Sequence, residues 1–224
     1  ISQAILPTFS RQAIADDLSG LKQTLSFGLR AVFFVMLPSG VFLMVLAGPL
    51  VNYLFFGGKF DTYSSGLTSE ALFFYGIGLS AYGANKVLQS YFFSMKDTLT
   101  PAKISALSLV LNIVLNIALI FPLKIAGIAL ATSISGVITF CVLLLLAIRK
   151  VGDFGIKEIK FSFLRILASS LGMGVVCYFS CGIIANKFLS LVFILISSLF
   201  SYIFFCYIFR VKELRQVWGL LNRK

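Results

Sequence analysis

The chain has 224 residues, 59% of them hydrophobic and 12% charged, with a mean hydropathy of +1.00. That composition excludes a soluble globular domain. With no histidine, no nucleophile elbow, no phosphate loop and no intramembrane pair of carboxylates, it also gives an enzyme reading nothing to stand on.

The opening stretch "ISQAILPTFSRQ" has no initiating methionine and reads as the end of an apolar helix, so a fragment of a longer protein is expected. Residues 1–30 join that helix end to a cytoplasmic connection. There Asp16 and Asp17 read as a solvated turn, and Leu18, Leu21, Leu25 and Leu29 as the apolar face of a helix lying on the membrane surface. A bilayer core of roughly 30 Å needs about 20 apolar helical residues. Six stretches meet that length: Ala31 to Phe56, Ala71 to Met95, Ile104 to Phe121, Ile125 to Ile148, Phe161 to Ile184 and Phe188 to Phe209. Residues 31–150 thus hold four spans and residues 151–209 two more. Residues 210–224, with Trp218, Leu220 and Leu221 among basic side chains, form a basic cytoplasmic tail attracted to anionic lipid. The predicted fold class is all-α, a polytopic membrane helix bundle of about six transmembrane helices plus the end of a preceding one.

Local signals refine this order. Pro38-Ser39-Gly40 removes a backbone donor inside the first span and predicts a kink, tolerated in a membrane only where a neighbour satisfies the freed carbonyl. Gly57-Gly58 stop that helix, and Thr68 or Ser69 is the expected cap of the next. Asp97 or Thr100 caps the third span with Pro101 at its start, and "FPLKIAG" leaves room only for a tight hairpin. Gly127, Ala131 and Ser135 recur every four residues and give the fourth span a small face for close packing. Cys141, Cys177, Cys181 and Cys206 lie inside spans without ligand spacing and read as small lipid-compatible side chains.

The charge of +11 does not point to nucleic acid, because alternate connections carry the excess. One set holds Arg11, Lys22 and Arg30, then Lys96 and Lys103, then Arg149, Lys150, Lys157, Lys160 and Arg165, then Arg210, Lys212, Arg215, Arg223 and Lys224; the other holds Lys59, Lys124 and Lys187. By the positive-inside rule both chain ends are cytoplasmic.

The one basic residue left over is Lys86, about 15 Å of helix from Lys96. At that depth a charge costs roughly 2.5–3.5 kcal/mol on insertion scales. Either it snorkels to the inner headgroups or it lines a wet cavity for an anionic substrate. Tyr82 and Gln89 share its face and Asn85 and Ser90 flank it, a polar stripe that favours the cavity. Asn112 and Asn116 stack on the third span, with Thr132 and Ser135 or Ser133 opposite them across the hairpin. They read as interhelical glue or as a neutral oxygen site for Na⁺.

Five stretches, "LPTFSR", "GLR" leading into "LPSG", "GPLVNYLFFGGKFD", "KVLQSYFFSMKDTLTPAK" and "AGIALATSIS", resemble in order and spacing the second half of the MurJ (MviN) family, the bacterial lipid II flippases of the MOP exporter superfamily. The resemblance covers the chain to about Lys150 by motif and the last two spans by position. It implies the C-terminal lobe of a transporter of about fourteen helices, whose two lobes enclose a cationic cavity for the diphosphate and sugar-peptide head of lipid II. It places Lys86 in that cavity, assigns the last two helices to a groove for the polyprenyl tail, and puts Asn112, Asn116 and Thr132 at a sodium position. Asn116 is neutral where an acidic residue would hold a cation more strongly. The implied partners are lipid II or a similar polyprenyl diphosphate-linked substrate, membrane lipids and an N-terminal lobe outside this chain, with no nucleic acid. The implied location is the bacterial cytoplasmic membrane, and Na⁺ is the one ion implied. A related exporter of another polyprenyl-linked saccharide or small molecule, or a noncatalytic scaffold subunit, are the alternatives.

Overall fold

The computed structural model describes residues 2–55, 61–181 and 187–214, and all regular structure among them is helical. In chain order the helices are α1 (Ser2–Ile14), α2 (Leu18–Val45), α3 (Ala47–Phe55), α4 (Thr62–Ser94), α5 (Leu99–Val151), α6 (Ile156–Ser180) and α7 (Lys187–Ile208). Among the described residues α2, α5, α6 and the stretch Leu189–Ile208 of α7 are long and apolar enough to cross a membrane. At 53 residues α5 is long enough to do so twice. Its backbone leaves the helical region at Lys124 (φ 52°, ψ −130°), and the chain doubles back so that Ser108 meets Thr139 and Asn112 meets Ser135. This is the hairpin expected at "FPLKIAG", made with a single non-helical residue. A methyl added at Gly127 would run into the Leu119 carbonyl oxygen, so glycine lets the two arms close.

The bundle is a row. The hairpin α5 packs on α4, α4 on α2, α2 on α6 and α6 on α7, while α1 lies over α2 and α4. Phe9 of α1 meets Tyr91 of α4 edge to face at 6.1 Å. Where α2 crosses α4, Gly40 and Gly76 face each other; a methyl at Gly40 would reach within 2.6 Å of the Gly76 carbonyl oxygen. The row gathers the turns after α1, α4, the α5 hairpin and α7 at one end, which carries most of the basic side chains and is called the basic end below.

Several expected boundaries move. The surface helix expected before residue 31 is instead the first turns of α2, continuous with the span. Leu21, Leu25 and Leu29 are at most 1% exposed, because they pack into the protein core with Phe9, Val87, Leu88 and Tyr91 rather than onto lipid. Asp17 is no mere solvated turn: it caps α2, accepting the Gly20 N–H at 2.9 Å and the Ser19 hydroxyl at 2.7 Å. The Gly20 N–H, then the Ser19 hydroxyl, hold its carboxyl below the usual carboxylate range.

Pro38 does not break α2. The carbonyl left without a partner by the missing N–H at Pro38 is that of Phe34, and the Tyr202 hydroxyl of α7 donates to it at 2.7 Å. The break comes later, at Leu46, with Pro49 in the first turn of α3.

Helix α4 begins at Thr62 rather than near Ala71, because Asp61 accepts the Ser64 N–H at 2.8 Å; Thr68 and Ser69 turn their hydroxyls back onto the carbonyls of Ser64 and Ser65. The Gly57-Gly58 stop, Lys59, Ile184 and the tail from Arg215 lie outside the described residues.

Asp97 caps α5 as expected, taking the Thr100 N–H at 3.0 Å and the Thr100 hydroxyl at 2.9 Å. It also pairs with Lys150 at 2.7 Å, and that ammonium lies 5.7 Å over the Phe92 ring, so both ends of the hairpin are tied together. The Lys150 contact, chiefly, holds the Asp97 carboxyl down at about 2.

Candidate functional site

Three of the four residues expected to meet substrate share one face of α4. Tyr82 and Lys86 are exposed and Gln89 is partly so, and the stripe continues through Leu79 and Tyr75 in one direction and Phe93 in the other. This is the face of α4 left free by α1, α2 and α5. Within the described residues the Lys86 ammonium has no acidic partner, and the backbone carbonyl of Lys86 accepts the Ser90 hydroxyl at 3.0 Å.

Asn85 goes the other way. It is 6% exposed, and its amide donates to the Gly136 carbonyl at 3.0 Å, so it joins α4 to the returning arm of α5 rather than facing solvent. The physical reason is the helical step: one residue back from Lys86 turns the side chain by about 100°, onto the small surface of Gly136. Tyr82 straddles both roles. Its ring lies against Gly136, its hydroxyl reaches the Thr132 carbonyl at 3.4 Å, and the opposite ring face stays open. Ser133 adds a third tie, donating to the Phe74 carbonyl at 2.6 Å. The small face expected on this arm is real, with Ala131 and Ser135 at 0% and 2% exposure.

Asn112, Asn116 and Thr132 do come together. The Asn112 amide donates to the hydroxyls of Thr132 and Ser135, both at 3.3 Å, and its carbonyl accepts the Asn116 amide at 3.0 Å. Thr132 passes its own proton to the Ile128 carbonyl at 2.8 Å. What remains for a cation is one buried oxygen without a partner, Asn116 Oδ1. A hard cation takes about six oxygens, and here the Thr132 and Ser135 hydroxyls and Asn112 Oδ1 already accept amide N–H groups. In this arrangement the trio does not fit Na⁺; it fits a hydrogen-bonded lock between the arms of the hairpin.

One charged cluster has no local signal in the sequence. At the basic end Glu213, 4% exposed, accepts the Ser162 hydroxyl of α6 at 2.8 Å and pairs with Arg30 of α2 at 3.5 Å. In sequence Glu213 is one acid inside "RVKELR" and looks solvated; only the return of the chain after α7 brings it under Arg30. The Tyr202 contact to Phe34 was half visible, since Pro38 demanded a donor but nothing in the sequence named it.

The chain is similar to known proteins over most of its length. A family model described as "Lipid II flippase MurJ" matches residues 1–200. The lipid II flippase MurJ of Thermosipho africanus is 34% identical over 193 residues, 85% of this chain and 38% of that protein. The probable lipid II flippase MurJ of Thermotoga maritima is 30% identical over 217 residues, 97% of this chain and 43% of its own. A solved structure, "Lipid II flippase MurJ, inward closed conformation", superposes with a TM-score of 0.77 at 29% identity, covering 93% of this chain and 42% of that one. The chain therefore spans well under half the length of these relatives.

Proposed function

Because the chain belongs to the lipid II flippase MurJ family, we propose that it is the C-terminal lobe of a transporter that carries lipid II from the inner to the outer leaflet of the bacterial cytoplasmic membrane. The observation that carries this reading is Lys86: a cation without an acidic partner among the described residues, on the face of α4 that no described helix covers. A charge well inside an apolar helix row is costly unless it meets water or an anion. A diphosphate head supplies two negative groups to meet it. Tyr82 and Gln89, each about one turn from Lys86 and on opposite sides of it, offer a hydroxyl and an amide to the sugar-peptide portion.

The rest of the lobe holds that face in place. Asn85 to Gly136, Tyr82 to Thr132 and Ser133 to Phe74 fix α4 on the α5 hairpin, so the stripe moves with the lobe as a body. Rocking of such a body against a second lobe exposes the bound head first to one side and then to the other. No covalent chemistry is involved. The polar trio leaves too few free oxygens for Na⁺ to take part.

The orientation belongs to the same proposal. The basic end faces the cytoplasm, by the positive-inside rule. Lys86→Ala in the full-length protein is expected to abolish rescue of a flippase-depleted strain at unchanged membrane levels, while Lys86→Arg retains part of it. Normal growth with Lys86→Ala would remove this side chain from the substrate path.

A further inference from the structure

Away from α4, the basic end holds a cavity of about 290 Å³ between α2, α6 and the segment after α7. Its cations are Arg30, Lys157, Arg165 and Lys212, set against Glu158 and Glu213. A larger hollow of about 780 Å³ adjoins it, sharing Arg165 and Lys212 and adding Arg210. The charges do not cancel. Glu213 meets Arg30 and Ser162 through Oε1 while its Oε2 is buried without a hydrogen-bond partner, and Arg165 donates to the Arg210 carbonyl at 3.3 Å. Lys157 and Lys212 make no ion pair with a described residue and are exposed.

The apolar border is equally specific. Phe161 is 60% exposed, and Tyr207 and Ile208 are 77% and 50% exposed. They belong to the ends of α6 and α7 that lead into the apolar spans, so cations lie at the rim and bare hydrocarbon beneath them. That is the vertical order of a phospholipid: anionic phosphate at the surface, acyl chains below it.

We propose that this pocket binds the phosphate headgroup of an anionic phospholipid. Lys157 and Lys212 take the phosphate, Arg165 bridges the two hollows, and the acyl chains lie along Phe161, Tyr207 and Ile208. The buried Glu213 does not compete for the ligand. It fixes Arg30 and the chain after α7 so that the rim is formed before a lipid arrives. No pocket residue lies on α4, so the site is separate from the face that carries Lys86. Occupancy would clip the end of α7 to α6 and make the stability of this helix pair depend on lipid charge. The inference rests on the proposed orientation only for the leaflet concerned, the cytoplasmic one.

The test uses the full-length protein in neutral detergent micelles. Thermal unfolding is followed while phosphatidylglycerol, phosphatidylcholine or inorganic phosphate is added, for the wild type, the double variant Lys157→Gln/Lys212→Gln and its charge-conserving counterpart Lys157→Arg/Lys212→Arg. Phosphatidylglycerol is expected to raise the wild-type Tm and phosphatidylcholine not to. Losing two lysines should raise the phosphatidylglycerol concentration needed for a given Tm shift about fivefold for each, roughly 25- to 30-fold together, and the arginine pair should leave it unchanged. An equal response in the wild type and the glutamine pair would overturn the site. An equal Tm rise with inorganic phosphate would overturn the lipid assignment and leave a free-phosphate site. Lys86→Ala should retain the full phosphatidylglycerol response, so failure of the flippase reading and failure of this one give different results.

Discussion

At the residue scale, the clearest device is the one that lets proline sit in the middle of a membrane helix. Pro38 cannot donate to the Phe34 carbonyl, and in lipid no water replaces the bond. Tyr202 comes from α7, far along the chain, to donate instead, and its hydroxyl is placed by a ring that packs against Phe34 at 5.5 Å. The bond therefore joins α2 to α7 through a backbone group that would otherwise be internal to α2. Tyr202→Phe is expected to cost about 1–3 kcal/mol, the range for leaving a buried acceptor unpaired, read from unfolding of the full-length protein in micelles. In a Pro38→Ala background the same change should cost clearly less, because the N–H restored at position 38 takes the Phe34 carbonyl. Equal losses in both backgrounds would show that the hydroxyl is not working through that carbonyl.

At the element scale, the hairpin α5 depends on how closely its two arms approach. Gly127→Ala would push a methyl into the Leu119 backbone, which cannot swing aside as a side chain can. Overpacking of this kind typically costs about 1–3 kcal/mol. Gly48→Ala is the control: nothing lies within 4 Å of a methyl there, and alanine improves a helix by up to about 1 kcal/mol over glycine. A loss of stability in the first variant and none in the second would tie the effect to the crossing. The sequence shows this hairpin well, because the run of apolar residues is interrupted only by "FPLK" and followed by a small-residue repeat. It shows α6 and α7 for the same reason. It misplaces the starts of α2 and α4 because hydropathy reports contact with lipid, whereas a helix continues as far as its cap allows. Asp17 and Asp61 set those starts, and Leu21, Leu25 and Leu29 are buried by protein. At the candidate site, the depth of Lys86 marked it out, since a charge there is expensive. The inward turn of Asn85 was not readable, because it depends on Gly136 lying opposite, and the Arg30 to Glu213 pair depends on a chain return with no local signal.

At the scale of the whole molecule, the row from α5 through α4, α2 and α6 to α7 separates two kinds of cation. Lys86 stands alone on an uncovered face within the row, and the remaining described cations lie in the turns or in the helix segments that lead from them, mostly at one end. That asymmetry has a consequence for topology. Charged turns resist translocation, so the end with Lys103 and Arg149 should stay in the cytoplasm and the end with Tyr63 and Lys124 should face outward. Tyr63 and Lys124 hold each other there, hydroxyl to ammonium at 3.0 Å, across the tips of α4 and the hairpin. The arrangement is testable in intact cells with the full-length protein after its native cysteines, Cys141, Cys177, Cys181 and Cys206 among them, are replaced by alanine. Lys103→Cys and Arg149→Cys sit at exposed positions of the basic end, and Tyr63→Cys at an exposed position of the other. A membrane-impermeant maleimide added outside should label Tyr63→Cys at once, and label Lys103→Cys and Arg149→Cys only after the membrane is permeabilised. The reverse pattern would turn the lobe over. It would also place the phosphate-binding pocket in the outer leaflet, and the flippase mechanism would then have to receive its substrate from the opposite end.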